Sequence, residues 1–271
     1  MRKRTILIFT LSVLVLLGLV AGLFTGSIEK ALGRPQKTAN MPKTQQTQSK
    51  TNTPVANTPG TTPVNNNQPT PPNQQTNVLA ADTFQRQNQT LWGTASDGRQ
   101  WGGDANTKPV FSISGMKGQI TGGQGTSDAI IGASTSNVDI TISGNINQFG
   151  TDVNLGIVLR WKDTNNWYKA FFDGNQLVIL RNVNQQKTTI AHIDVKTGAG
   201  VMQTLRFRSI GAMLSAKVWP GGTPEPQKWL LMTNDNTFST GQFGIRVSEQ
   251  PTTVITIMSF NATAASIGNG I

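Results

Sequence analysis

Short runs of alternating apolar and polar residues recur along the chain from Leu79 onward, separated by clusters of Gly, Asn, Asp and Ser. Such alternation places successive side chains on opposite faces of a β-strand, and no run in this region has the period of an amphipathic helix. The sequence therefore predicts an all-β domain built as a two-sheet antiparallel sandwich. The predicted strands are 83–86, 110–114, 118–121, 129–133, 138–143, 153–161, 167–173, 177–182, 187–195, 203–210, 213–219, 229–233, 241–247 and 254–262.

Residues 152–173 show the clearest alternation, with two predicted strands joined by the polar residues 162–166. Pairing the strands across this loop places Trp161 opposite Trp167 on one face and Arg160 opposite Tyr168 on the other. Both faces are rich in apolar groups, which favours a central position in the sandwich. We expect the tryptophan face to point into the core together with Leu159 and Phe171. The concave surface is then expected to hold Arg160, Tyr168, Val158, Ala170 and Phe172.

The first 26 residues have the pattern of a membrane signal anchor. Residues 5–24 carry no charge and follow Arg2, Lys3 and Arg4. At about 1.5 Å per residue, a helix of this length spans roughly 30 Å of bilayer core, and the flanking positive charges predict a cytoplasmic N-terminus. A cleaved secretory signal is the alternative, with a small-residue site at Val20-Ala21-Gly22. Either pattern predicts export of the residues that follow.

Residues 27–77 differ from both neighbouring segments in composition. They hold eight of the 13 prolines, many Thr, Asn and Gln residues, and no aromatic residue. Such a segment buries too little apolar surface to offset the entropy of folding, so a disordered linker is predicted. We expect this linker to carry the domain at residues 78–271 through or beyond a cell wall.

The net charge of +10 is spread over the chain rather than concentrated in the predicted domain. Residues 78–271 hold 15 basic and 12 acidic residues, which are intermixed. A nucleic-acid-binding domain clusters Lys and Arg on its folded surface, so nucleic acid is not expected as a partner. The absence of cysteine excludes disulfides, thiolate metal sites and a lipid-modified cysteine anchor.

Four sequence regions, in order, resemble a known family. The first combines Asp82-Thr83-Phe84-x-Arg86 with Trp92-Gly93-Thr94-Ala95-x-x-Gly98-x-x-Trp101, and the others are Phe111-Ser112-Ile113-Ser114-Gly115-x-Lys117-Gly118, Arg160-Trp161-x-Asp163-x-x-Asn166-Trp167-Tyr168 and Lys217-Val218-Trp219-Pro220-x-Gly222-Thr223-x-Glu225-Pro226-x-x-Trp229. They resemble the concanavalin A-like lectin/glucanase jelly rolls of bacterial surface proteins, the laminin G-like members included. The resemblance implies two curved sheets whose concave face, in many relatives, binds or cleaves polysaccharide. It does not assign the function by itself.

The carboxylates that catalysis would need are missing from the expected place. Glycosidases of that superfamily use a Glu-x-Asp-x-x-Glu strand, because one acid protonates the leaving oxygen while another attacks or activates water. The only glutamates of the predicted domain, Glu225 and Glu249, lie near prolines, and Asp173 and Asp194 are predicted turn caps or surface ion-pair members. The single histidine, His192, has no Gly-x-Ser-x-Gly elbow beside it, so the protein is not expected to be an enzyme.

A saccharide site needs an aromatic plane for the apolar faces of sugar rings and polar groups for the hydroxyls around them. On the predicted register, the candidate ligand-binding residues are Arg160, Tyr168, Phe172 and Arg181. Packing and pairing within the sandwich is the alternative role for Arg160 and Tyr168.

No cofactor is expected from the sequence. Calcium is the ion considered, with oxygens from Asp163, Asn165 and Asn166 or from Asp82, because loop carboxylates hold calcium in many jelly rolls. The chain has no Asp-x-Asp-x-Asp cage, so no metal site is predicted.

The sequence as a whole predicts a single-pass protein of a bacterial cell membrane, with its C-terminal domain outside the cell. That domain is expected to be a non-catalytic carbohydrate-binding or adhesion module whose partner is an extracellular glycan or cell-wall polysaccharide. Two alternatives stay open. One is an extracellular glycoside hydrolase with a non-standard acid pair such as Glu225 and Asp173, and the other is a structural surface or sensor domain without a small ligand.

Overall fold

A computed structural model describes residues 77–266 of the chain. The predicted signal anchor and nearly all of the predicted linker lie outside these residues. Within the described part, no helix has the length and hydropathy needed to span a bilayer.

The described residues are almost entirely strand and turn. In chain order the strands are β1 (Val78–Asp82), β2 (Gln89–Thr90), β3 (Gly102–Gly103), β4 (Phe111–Ile113), β5 (Gly118–Thr121), β6 (Gly125–Thr135), β7 (Val138–Ile146), β8 (Asn154–Asp163), β9 (Asn166–Phe172), β10 (Gln176–Val183), β11 (Gln186–Asp194), β12 (Gln203–Ile210), β13 (Met213–Pro220), β14 (Leu231–Asn234), β15 (Gly241–Glu249) and β16 (Val254–Ala264). A short 3-10 turn covers Asp104–Asn106. Except for 83–86, each predicted strand overlaps an observed one.

The strands form two antiparallel sheets. A nine-stranded sheet has the order β14-β13-β12-β7-β16-β5-β4-β2 with β1 paired to β16, and a seven-stranded sheet has the order β11-β10-β9-β8-β15-β6-β3. Every strand pairing in the two sheets is antiparallel. The predicted all-β, two-sheet antiparallel sandwich is therefore confirmed.

The core lies between the two sheets because alternate residues of each strand point inward. The nine-stranded sheet contributes fully buried residues such as Ile140 and Phe207, and the seven-stranded sheet contributes Ile157 and Ile245. A second, smaller apolar cluster centred on Trp167 lies on the outer face of the seven-stranded sheet. That sheet is thus apolar on both faces, as the sequence predicts for its central hairpin.

The predicted register of the central hairpin is wrong. Leu159, not Arg160, lies opposite Tyr168, and the turn is closed by the pairing of Asp163 with Asn166. The ladder shifts between these pairs because β8 bulges at Arg160, whose backbone adopts a φ of 49°. Tyr168, Ala170 and Phe172 consequently lie in the core between the sheets, while Trp167 and Lys169 lie on the outer face.

The segment 83–86 is not a strand, although its alternation predicts one. The Oδ1 atom of Asp82 accepts a hydrogen bond from the backbone N–H of Phe84 at 2.8 Å, and Phe84 adopts a φ of 55°. Such an aspartate turn ends a strand. The strand β1 instead precedes this turn and pairs with β16.

Candidate functional site

An open groove lies on the outer face of the seven-stranded sheet, and we call it the outer-face groove. Its volume is about 510 Å³, within the usual range for ligand sites. The groove is lined by residues of β6, β15, β8, β9, β10 and β11, including Thr126, Arg246, Asn154, Phe171, Leu180 and Lys187. Six neighbouring strands spaced about 4.8 Å apart give it a width across the sheet of roughly 24 Å.

The floor of the groove is held by a stacked ion pair. Trp167 is buried against Ile130 and Val158, and the guanidinium carbon of Arg246 lies 4.6 Å from the centre of its ring. The Nη1 atom of Arg246 donates to both carboxylate oxygens of Asp128 at 2.5 Å. Stacking and a two-oxygen bond together fix the guanidinium, so the floor is rigid and its Arg charge is balanced.

Lys169 lies in the middle of the groove on the central strand β9. Its residue is only 3% exposed, and Nζ donates to Oδ1 of Asn154 on β8 at 2.5 Å. Burial, reinforced by the nearby positive charge of Arg246, holds the pKa of Lys169 well below its ordinary value, and Asp128 offsets this only in part. The groove therefore contains an amine whose positive charge is only partly balanced by the negative charge nearby.

Phe171 supplies an aromatic surface next to this amine. It is half-buried, lines the groove, and its ring centre lies 5.1 Å from Nζ of Lys169. Both side chains cross over Gly156 of β8. A methyl group on Gly156 would come within 2.5 Å of the Cε atom of Lys169 and 2.8 Å of the Cβ atom of Phe171. The glycine therefore leaves the space that these two side chains occupy.

A buried carboxyl group stands at one end of the groove. The hydroxyl of Ser127 donates to Oε1 of Glu249 at 2.7 Å, while Oε2 is buried with no partner among the described residues. Burial raises the pKa of Glu249, and the bond from Ser127 lowers it by less. This end of the groove thus offers a carboxyl group that is protonated more readily than an exposed glutamate.

Three of the four predicted ligand residues meet at the end of the sandwich rather than in the groove. The hydroxyl of Tyr168 donates to Oδ1 of Asp235 at 2.5 Å, and Arg181 donates to Oδ2 of the same carboxylate at 2.8 Å. Partial burial works to raise the pKa of Asp235, but the bonds from Tyr168 and Thr237 outweigh it and hold that pKa below its ordinary value.

Arg160 belongs to the same assembly. Its guanidinium donates to the carbonyl oxygens of Ser136 at 3.0 Å, Phe238 at 2.6 Å and Gly211. Three loops are joined by this one buried side chain. A hollow of about 420 Å³ borders it, but its donors are directed to the backbone.

Phe172, the fourth predicted residue, lies apart from the others. It is 1% exposed in the core between the sheets, and its ring centre lies 6.4 Å from that of Phe149. The concave placement predicted for Arg160, Tyr168 and Phe172 is corrected by the structure, because the bulge in β8 turns Tyr168 and Phe172 inward. Arg181 alone keeps a partly exposed side chain.

The carboxylates considered for calcium are occupied by protein donors. Asp163 accepts from the amide of Asn166 and the backbone of Asn165, and both oxygens of buried Asp82 accept several hydrogen bonds. Among the described residues, no three acidic or histidine side chains converge as a metal site.

The acid pair considered for hydrolysis is not brought together. Glu225 follows β13 of the nine-stranded sheet and forms ion pairs with Arg206 and Lys217. Asp173 follows β9 of the other sheet and caps a turn by accepting from the backbone of Asn175 and Gln176.

Another hollow, of about 650 Å³, lies against the nine-stranded sheet beside Trp229, Met213 and Met232. The indole of Trp229 already has cations on it, with Lys217 at 4.8 Å and Arg208 at 4.5 Å from its ring. Apolar surface dominates the lining of this hollow, to which Gln227 and Lys228 also contribute. The outer-face groove combines an aromatic surface with polar groups and is the better candidate site.

Sequence reasoning missed the groove residues Asn154, Lys169, Phe171 and Arg246. The available signal was a lysine between Trp167 and Phe171, in a strand whose other residues after Asn166 are apolar or aromatic. A lysine in a buried strand needs a partner or a function.

Comparison with known proteins gives the fold. No family model and no curated protein match the chain. The xylan β-1,4-xylosidase of Bacillus halodurans C-125 is similar with a TM-score of 0.51 and 12% identity, covering 68% of this chain and 38% of that one. The GH43 protein BlXynB of Bacillus licheniformis has the same TM-score and identity, with 68% and 39% coverage. This chain thus spans about two fifths of their length.

A carbohydrate-binding module, CBM66 of Bacillus subtilis, is similar at 18% identity and a TM-score of 0.44, covering 52% of this chain and 85% of that one. Identities this low concern the fold alone. The described residues share the two-sheet antiparallel fold of the two xylosidase-type structures, in agreement with the jelly-roll fold that the sequence resemblance implies.

Proposed function

We propose that this domain binds a saccharide in the outer-face groove and does not cleave it. The observation that carries the proposal is the groove itself, in which half-buried Phe171 lies beside the polar groups of Lys169 and Asn154. An aromatic ring beside converging donors and acceptors suits the mixed apolar and hydroxyl surface of a sugar. The name of the similar xylan β-1,4-xylosidase supports a saccharide as the ligand, though not the absence of cleavage.

The open shape of the groove supports a chain-like ligand. The lining residues extend across six strands of the sheet, a width that suits a ligand of more than one sugar ring. Binding without cleavage is supported by the state of the carboxylates. Asp128 is bound to Arg246, so it is not free to act with Glu249 as a matched nucleophile and acid around a scissile bond.

The predicted signal anchor and linker bear on the cellular location of the domain. We infer that the domain is displayed on the outside of a bacterial cell as an adhesion or wall-binding module. Protease added to intact cells should then remove the domain. Full protection of the domain in intact cells, with cleavage after lysis, contradicts this placement.

Replacement of Phe171 by alanine is expected to weaken saccharide binding about five- to thirty-fold, because one stacking surface of about 1 to 2 kcal/mol is lost. The measurement is a glycan-array screen of the full chain, followed by titration with the best neutral or acidic glycan found. Met232→Ala, an exposed apolar change on the opposite sheet, is the matched control and should bind like the parent.

Equal binding by the Phe171→Ala variant would contradict the groove as the site. The same glycans are assayed for new reducing ends after long incubation with the parent chain. We expect none. Hydrolysis that disappears in Glu249→Gln would instead identify a glycosidase with Glu249 as its acid.

A further inference from the structure

The ammonium group of Lys169 has more donors than partners. An ammonium carries three N–H groups, and the one hydrogen bond that Nζ makes within the described residues goes to Oδ1 of Asn154. No carboxylate of residues 77–266 forms an ion pair with it. A side chain that is 3% exposed cannot recover the missing bonds from bulk water without cost.

The charges that face Lys169 are mostly positive. Arg246 on β15 and Lys187 on β11 repel its ammonium, while Asp128 on β6 attracts it. Asp128 and Arg246 are bound to each other at 2.5 Å, so their two charges largely offset and Lys187 is the remaining charge. The strand neighbours on the remaining sides present Asn154 from β8 and Leu180 from β10, which carry no charge.

The acidic residues that line the groove lie toward its end and do not neutralise the positive charge around Lys169. Glu249 is bonded to Ser127, and its charge interactions are with Lys108 and Asp104. Asp152 lies exposed in the loop before β8. The centre of the groove therefore has an excess of positive charge around one amine with unused donors.

We propose that the saccharide bound in the outer-face groove is acidic, and that Lys169 receives its anionic oxygens beside the sugar ring stacked on Phe171. This inference rests on the proposed function and names the ligand class of the same site. An anionic oxygen on the sugar would supply the hydrogen-bond acceptors and the negative charge that the protein does not provide around Nζ of Lys169. Carboxylate-bearing and phosphate-bearing saccharides share this chemistry.

Proton uptake follows from the arrangement. In the free protein, burial and the charge of Arg246 hold the pKa of Lys169 well below its ordinary value. An anion at Nζ favours the charged amine and raises that pKa. Between the pKa of the free state and the ordinary lysine value, binding therefore takes up a proton, and affinity falls as the pH rises.

The test is calorimetric titration of the full chain with oligogalacturonate, with the same oligomer as its methyl ester, and with a glycerol phosphate polymer. We expect at least tenfold tighter binding of an acidic polymer than of the neutral ester. Comparing the affinities for oligogalacturonate and for the glycerol phosphate polymer identifies carboxylate or phosphate as the preferred group. Titration in buffers of different ionisation enthalpy should show proton uptake that grows with pH.

Lys169→Met should bind the acid and the ester equally and show no proton uptake. Lys217→Met is the matched control, because Lys217 is a buried lysine of the opposite sheet, and it should keep the preference for the acid. Melting curves show whether each variant is folded, and the comparison of acid with ester in the parent chain tests the inference without any variant.

The two proposals fail in different ways. Binding of neutral glycans that Phe171→Ala weakens, with no preference for acids and no effect of Lys169→Met, overturns the acidic ligand alone. A chain that binds no saccharide in any arm or on the array overturns the proposed function as well.

Discussion

The Asp82→Ala variant is expected to lose about 3 to 5 kcal/mol in the free energy of unfolding, the usual cost of removing one partner of a buried ion pair. The carboxylate of Asp82 is fully buried. It accepts from Arg86 at 2.8 Å, from the indole N–H of Trp101 at 2.7 Å, and from the backbone N–H groups of Phe84 at 2.8 Å and Ser96 at 3.2 Å. All these donors lose their acceptor together.

Two of these donors, Phe84 and Trp101, belong to the aromatic cluster at the start of the domain. The ring centres of Phe84 and Trp92 lie 4.9 Å apart, those of Trp92 and Trp101 5.0 Å, and those of Trp101 and Phe260 5.2 Å. Phe260 lies on β16, which pairs with β1. Loss of Asp82 is therefore expected to loosen the packing between this turn and β16 rather than the turn alone.

Urea unfolding monitored by tryptophan fluorescence measures the effect, because Trp92 and Trp101 lie within the cluster. Asp194→Ala, at the exposed end of β11, is the control and should change stability by no more than about 0.5 kcal/mol. Asp82→Asn should remain far below the parent, since a neutral amide cannot accept from all four donors. A loss under 1 kcal/mol for Asp82→Ala would show that the carboxylate does not hold the cluster.

Arg160→Met is expected to cost about 2 to 4 kcal/mol of stability, because the carbonyl oxygens of Ser136, Phe238 and Gly211 all lose a charged donor. Methionine has a similar reach and meets the same backbone penalty at a φ of 49°, so the comparison isolates the guanidinium. Lys162→Met, nearby and exposed, should leave stability within about 0.5 kcal/mol of the parent.

The Arg160→Met variant also distinguishes the observed role of Arg160, which joins three loops, from its predicted role in binding a ligand. A loop clamp affects the unfolding midpoint, whereas a ligand residue affects the affinity of the folded protein. We expect Arg160→Met to keep the glycan affinity of the parent at a temperature where both are folded. A tenfold loss of affinity with an unchanged unfolding midpoint would restore Arg160 to the binding site.

The architecture could be predicted from the sequence because burial in a two-sheet sandwich imposes a period of two along each strand. That period is visible in β7, for example, where Val138, Ile140 and Ile142 alternate with polar residues. The exceptions are places where a side chain interrupts the ladder. The turn made by Asp82 ends a strand one residue before the alternation begins, and the bulge at Arg160 reverses the facing of β9.

The candidate site could not be predicted because it depends on that register. A shift of one residue exchanges the two faces of a strand, so Tyr168 and Phe172 were expected outside and Phe171 inside. Bulges are set by contacts that are distant in sequence, here with loops at Ser136 and Gly211. Lys169 was visible as an unusual residue, but its partners Asn154 and Arg246 come from other strands.

The pairing of β1 with β16 also brings the two ends of the described residues together. Val78 lies opposite Thr263, and the backbone N–H of Ala264 donates to the carbonyl of Asn77 at 2.9 Å. The points at which the polypeptide enters and leaves the domain are thus neighbours, and both belong to the nine-stranded sheet. Because the outer-face groove occupies the outer surface of the other sheet, a ligand bound there would lie on the side of the sandwich away from both ends of the described residues.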